Sequence, residues 1–129
     1  MKQINCTEHI VLACSAINSS LQSVKTIFYY REVCEIHYSY KEEKDFQLEI
    51  RFDRATLTCL FDKNNICEGA FLFLDDLLDI AYYIEHCNKT YPCDMILKGW
   101  LVNNCLMQIN TDNKECSLMI LPIKPKSEL

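Results

Sequence analysis

Glycine and proline are nearly absent, at 2 and 3 of 129 residues. With only Gly69 and Gly99 in the chain there is no glycine-rich loop to cradle a phosphate, which argues against nucleotide binding through backbone amides. The same scarcity, with 50% of residues apolar and 24% charged, argues against a disordered, low-complexity or internally repeated chain. No apolar run approaches the ~20 residues of a membrane-spanning helix, because Asp, Glu or Lys interrupts each candidate. The sequence has no Gly-x-Ser-x-Gly elbow, no His-Glu-x-x-His and no Cys-x-x-Cys. Those gaps remove the local signatures of a serine hydrolase, a zinc protease and a zinc ribbon.

Excess positive charge is missing as well. The formal net charge is −5 and the isoelectric point about 5.1, so the clustered Lys and Arg that phosphate binding needs are not there. An acidic balance instead suits a basic protein partner, since opposite charge speeds encounter and penalises wrong partners. A chain of 129 residues is expected to form a single domain over 1–129 and to bury roughly two-thirds of its unfolded surface, without metal or disulfide staples.

Cysteine is the abundant exception. Nine thiols cannot all pair within one chain, and a reducing compartment explains them more simply. Cys34, Cys59, Cys105 and Cys116 fall on apolar phases of predicted strands and Cys14 on the apolar face of a predicted helix, where a thiol serves as a small hydrophobe. The nearest approach to zinc spacing is His86-Cys87 followed by Cys93, with no second pair, so no metal and no cofactor is expected. Val11-Leu12-Ala13-Cys14 has the form of a lipoprotein cleavage box, but Asn5, Glu8 and His9 precede it in place of an apolar segment. The glycosylation patterns at Asn5, Asn18 and Asn88 and the Lys126-Ser127-Glu128-Leu129 ending need a signal peptide to matter, and the expected compartment is the cytoplasm.

The pattern that remains is an α+β one. Cys34, Ile36, Tyr38 and Tyr40 alternate with polar residues, and Phe46, Leu48, Ile50 and Phe52 do the same, which predicts a hairpin joined by the charged stretch Glu42, Glu43, Lys44 and Asp45. Ala55–Phe61 and Ile66–Phe73 predict a second pair around the turn Asp62-Lys63-Asn64-Asn65. Ile10, Cys14, Ile17, Leu21, Val24 and Phe28 form one stripe of a first helix capped by Asn5 or Thr7, with Asn18 to Ser20 weakening it without breaking it. Residues 27–31 can end this helix or open the first strand. A second helix starts at Asp75 or Asp76 and buries Leu77, Leu78, Ala81 and Ile84. Cys105–Ile109 and Cys116–Leu121 read as a central hairpin, 95–102 as either helix or strand, Trp100 as core and 122–129 as a frayed tail. The expected fold is an antiparallel sheet of about five or six strands with two main helices on one face, and Ile36, Tyr38, Leu48, Ile50, Leu77, Ala81 and Ile84 in one core.

Function follows from charge and from the missing motifs. Asp76, Asp79, Tyr83 and His86 share a helical stripe that has acid-base side chains, but carboxylates at a helix start and a histidine near its end also simply match the helix dipole. The expectation is a non-enzymatic acidic binding protein of the kind bacteria use as cytoplasmic immunity proteins, neutralising a basic, nuclease-type toxin domain by direct contact. Its partner surface is placed on the hairpin, at Glu35, His37, Glu42, Glu43, Asp45, Glu49 and Arg51, with Asp75, Asp76 and Asp79 as a competing patch. The alternative is a small enzyme or ligand-binding domain with a pocket between helix and sheet, using Glu49, Asp53 or His37 as polar groups.

Overall fold

The computed structural model describes residues 5–37, 46–110 and 117–123, with His37 and Phe46 described by their backbone alone. Its first helix, α1 (Cys6–Ala16), starts where the Asn5 side chain accepts a hydrogen bond from the Glu8 amide. The predicted single helix is broken. Asn18 takes a left-handed conformation at φ 66°, and Ser20 caps a separate α2 (Leu21–Ile27) by accepting from the Ser23 amide. The cause lies across the fold: Asn18 N–H donates to Cys67 O, Leu21 N–H to Asn65 O, and Ser19 O accepts from Cys67 N–H. These bonds to the turn and strand opposite repay the helical bonds that are lost. The predicted stripe keeps its burial, because Ile10, Cys14, Ile17, Val24 and Phe28 still reach the core.

Among the described residues eight strands follow, more than the sequence suggested: β1 (Val33–His37), β2 (Phe46–Arg51), β3 (Ala55–Phe61), β4 (Cys67–Leu74), β5 (Cys93–Asp94), β6 (Gly99–Val102), β7 (Cys105–Asn110) and β8 (Ser117–Pro122). A 3-10 turn (Leu77–Asp79) leads into α3 (Ile80–Thr90) between β4 and β5. All strand pairs are antiparallel, in the order β1-β2-β3-β4-β8-β7-β6-β5. Two four-stranded meanders are thus joined through their last strands, β4 and β8. The added strands come from short segments: 93–94, and 99–102, which resolves the ambiguous stretch as a turn followed by a strand. Gly99 is required there, since a Cβ would lie 2.5 Å from the Met107 carbonyl oxygen of the neighbouring strand.

Register sets the faces. Leu48 pairs with Cys59, Leu57 with Leu72, Leu72 with Leu118, Ile120 with Met107 and Met107 with Trp100, and all are buried on one face. The three helices pack there: Cys105 Sγ reaches Cys14 of α1, Trp100 Nε1 donates to Asn88 of α3, and the Phe28 ring after α2 lies 6.0 Å from Phe52. The opposite face presents Gln47, Glu49, Thr56, Leu60, Phe71, Met119 and Leu106, partly buried, and no described element crosses it.

Two predicted core assignments are reversed. In the β1–β2 ladder Val33 opposes Ile50, Glu35 opposes Leu48, and Ile36 opposes Gln47. Even-numbered residues of β1 therefore share a face with odd-numbered residues of β2, and the apolar phase of β1 lies opposite the helices. Tyr38 and Tyr40 lie outside the described residues. At the other reversal, Leu77, Leu78 and Ala81 are exposed and Ile84 is half-buried, while Asp79, Tyr83 and Cys87 turn inward. The 3-10 turn shifts the phase of the leucines relative to α3, so the residues at four-residue spacing that face α1 are the polar ones. Among the described residues no helix is long and apolar enough to cross a membrane.

Candidate functional site

The margin of the sheet at β1 carries two adjacent exposed tyrosines; Tyr82 of α3 is a third, elsewhere on the surface. After α2 ends, Phe28 turns into the core and its two successors cannot follow: Tyr29 and Tyr30 are left 82% and 57% exposed, their rings edge to face at 5.4 Å. The Arg31 guanidinium then stacks over Phe52 at 4.5 Å and over Tyr30 at 5.3 Å, holding the turn against the sheet. Two open depressions flank β1. One, of about 430 Å³, is lined by Lys25, Phe28, Tyr29, Arg31, Val33 and Glu35. The other, of about 300 Å³ on the opposite side of the strand, is lined by Glu32, Val33, Cys34, Glu49, Arg51 and Thr56. Val33 lines both.

The cations of this margin are committed. Lys25 pairs with Glu35 at 2.6 Å, Arg31 with Glu8, and Arg51 makes a bidentate contact with Asp75. Among the described residues Glu32 and Glu49 have no ion-pair partner, although Glu49 accepts a hydrogen bond from Gln47 Nε2 at 3.1 Å. Among the described residues the margin thus carries two carboxylates outside any ion pair, on the side of β1 away from the Tyr29 depression.

The predicted partner residues divide accordingly. Glu49 and Arg51 face away from the helices, but Glu35 lies on the helix side of β1, where Lys25 meets it. His37 opposes Phe46 in the ladder, and the side chains of both are outside the described set. Glu42, Glu43 and Asp45 also lie outside the described residues. Asp75, Asp76 and Asp79 form the competing corner, and all three serve the fold. Hydrogen bonding to Arg51 holds the Asp75 carboxyl below the usual carboxylate range. Asp76 caps the 3-10 turn by accepting from the Leu78 amide, with Arg54 3.9 Å away. Asp79 is a correction, since it is buried: Oδ1 accepts from Arg54 at 2.8 Å, and Oδ2 is enclosed with no partner among the described residues.

Behind Asp79 lies the interior contact of α1 and α3. His9 Nδ1 and Tyr83 Oη share a hydrogen bond of 2.8 Å, both groups buried, with the His9 ring 4.7 Å from Phe52. Burial, reinforced by Arg31, holds the imidazole below its ordinary range, and burial raises the Tyr83 hydroxyl. Burial also raises the Cys6 thiol and pushes that of Cys87 up to about 12. Each group is thereby kept neutral at neutral pH, which suits packing and opposes acid-base or nucleophilic chemistry. His86 stands apart at the outer side, 3.2 Å from Thr7 Oγ1, so the stripe of Asp76, Asp79, Tyr83 and His86 does not converge on one point. No group of His, Cys, Asp or Glu among the described residues is gathered as for a metal ion. Between helices and sheet, where a ligand pocket was the alternative, Ile10, Ala13, Leu57 and Leu72 are each at most 1% exposed and fill the space.

Tyr29 and Tyr30 were missed as surface residues because the stretch also fits a strand start. The available signal was local: three consecutive aromatics cannot share one helical stripe, so burying Phe28 forces the next two outward. Comparison of the chain with protein-family profiles, with curated proteins and with solved structures finds no match.

Proposed function

We propose that the chain is a non-catalytic, cytoplasmic binding protein that docks a basic protein surface at the β1 margin, acting as an inhibitor of a nuclease-type toxin domain. The observation that carries this reading is the pair of solvated tyrosines at the β1 margin, where Glu32 and Glu49, lining the depression on the other side of the strand, have no ion-pair partner among the described residues. Tyrosine supplies a large, rigid contact at low entropic cost and recurs among binding hot spots, while unpaired carboxylates accelerate encounter with a cationic surface. The buried His9, Tyr83, Cys6 and Cys87 are neutral packing groups in this reading, and the helix-start carboxylates are fold elements.

The test is capture from source cells on the immobilised chain at low salt, with elution by a salt gradient, alongside the Tyr29→Ser/Tyr30→Ser variant. A basic protein held by the parent, released by salt, lost by the variant, and inhibited in nucleic-acid degradation by added chain supports the reading. A partner held equally by parent and variant contradicts the placement of the surface. A tight small-molecule ligand retained on purification, with no protein captured, contradicts the function.

A further inference from the structure

The two ends of the sheet are finished differently. β5, at one end, is only Cys93–Asp94 and follows Pro92, so it gives another strand almost nothing to pair with. β1, at the other end, runs for five residues with neither proline nor lysine in it, and no described strand lies beyond it. Its backbone is aimed for further pairing. Arg51 N–H donates to Glu32 O, so the bonds to β2 fall at even-numbered residues of β1, and the N–H and C=O groups of Val33 and Glu35 are directed away from β2. The two depressions lie on either side of this edge. One, toward the helices, has Tyr29, Val33 and the Lys25–Glu35 pair; the other, on the opposite face, has Glu32, Cys34 and Glu49.

We propose that the β1 edge takes up an extended segment of the partner as an added strand, antiparallel like every pair in the sheet, along which apolar and basic residues alternate. This rests on the reading of the β1 margin as the partner surface and adds how the partner is held. An added strand runs about 4.8 Å from β1, which sets its successive side chains over the two depressions in turn. Residues directly opposite Val33 and Glu35 share the helix-side face with them and exchange main-chain bonds with them. Their side chains meet Val33 and Tyr29 beside an ion pair that is already closed, so apolar groups fit there. The residues between them stand on the other face beside Glu32 and Glu49, which no described cation pairs, so Lys or Arg fits there. Main-chain bonds supply affinity, and the alternation selects the segment.

The test titrates the isotope-labelled full chain with a short synthetic peptide in which valine and lysine alternate, at low salt and up to millimolar concentration, following backbone amide resonances. Two further peptides carry N-methyl groups, one on every valine and the other on every lysine. The parent peptide is expected to shift the amides of Val33 and Glu35. Methylation of the valines, whose N–H groups face β1, should weaken binding by at least about tenfold, and methylation of the lysines, whose N–H groups face solvent, by no more than about twofold. Glu32→Gln/Glu49→Gln should weaken the parent peptide by roughly fivefold. If the two methylated peptides bind alike at the margin, strand addition is overturned while the margin reading stands, because the surface then recognises charge without pairing. Strand addition is also overturned if lysine methylation is the more damaging, if the shifts map elsewhere, or if the Gln variant binds like the parent chain. Failure of all three peptides to bind contradicts both strand addition and the attraction for basic chemistry beneath it.

Discussion

The β1 margin and the corner where the 3-10 turn meets α3 are both acidic, and they use their charge in opposite ways. At the corner, Asp75, Asp76 and Asp79 each have an arginine within 4 Å, and Asp79 is drawn inside. At the margin, Glu32 and Glu49 have no such partner among the described residues, while Tyr29 and Tyr30 stand in solvent. Carboxylates that answer to arginines and amides hold a turn together, whereas carboxylates left beside exposed aromatics are available to another molecule. The sequence favours the hairpin only because helix-start carboxylates also serve capping and the helix dipole. What separates them is the position of Arg51 and Arg54, both supplied by the β2–β3 region across the fold.

The strongest way to break this comparison is to remove Arg54. Its loss strands the enclosed Asp79 carboxylate, and Arg54→Ala is expected to lower stability by about 2 to 3 kcal/mol, read as a fall in the urea midpoint. Arg51→Ala disrupts a pair that is solvated on both sides and should cost less than about 1 kcal/mol. Equal effects would mean that the enclosed Asp79 pair contributes no more to the fold than the solvated Asp75 pair.

Tyr83→Phe probes the interior of the same corner. It leaves His9 Nδ1 without its partner and should cost about 1 to 2 kcal/mol in urea unfolding at pH 7, with the volume of the core unchanged. A pH series sharpens the point. Because His9 binds its proton less readily when folded than unfolded, its contribution is fully present above the unfolded value near 6.5 and is lost as pH falls below it. The urea midpoint should therefore decline from pH 7 toward pH 5, and His9→Gln should flatten that slope. The smallest effect belongs to the margin: Tyr29→Ser/Tyr30→Ser should change stability by no more than about 0.5 kcal/mol, since both rings are solvated.

Much of the scaffold was legible in the chain. The Asp62 to Asn65 turn was readable because Asp62 can accept from the amides of Asn64 and Ile66 and Asn65 tolerates a positive φ, and both occur. The α1 stripe was readable because its apolar residues have no competing polar use. Non-local partners decided what was not. Asn18 to Leu21 leave the helix for bonds to 65–67, β1 is turned over by an odd register sum, and the 3-10 turn and α3 bury Asp79 and Tyr83 because Arg54 and His9 wait opposite them. The candidate site was half legible: Glu49 and Arg51 share the sheet face turned from the helices, as their alternation with Leu48 and Ile50 implies, but the tyrosines that distinguish the margin depend on how α2 ends.

The central claim is that the β1 margin, not the corner, meets the partner. The most direct measurement compares the affinity of the captured basic protein for the parent chain, for Tyr29→Ser/Tyr30→Ser and for Leu78→Ser/Tyr82→Ser, the last pair being exposed near the corner. Two anchoring tyrosines at one to two kcal/mol each predict a loss of roughly 100-fold for the margin variant, and no more than about a two-fold change for the corner variant. A margin variant that binds like the parent, with binding lost in the corner variant, would contradict the account.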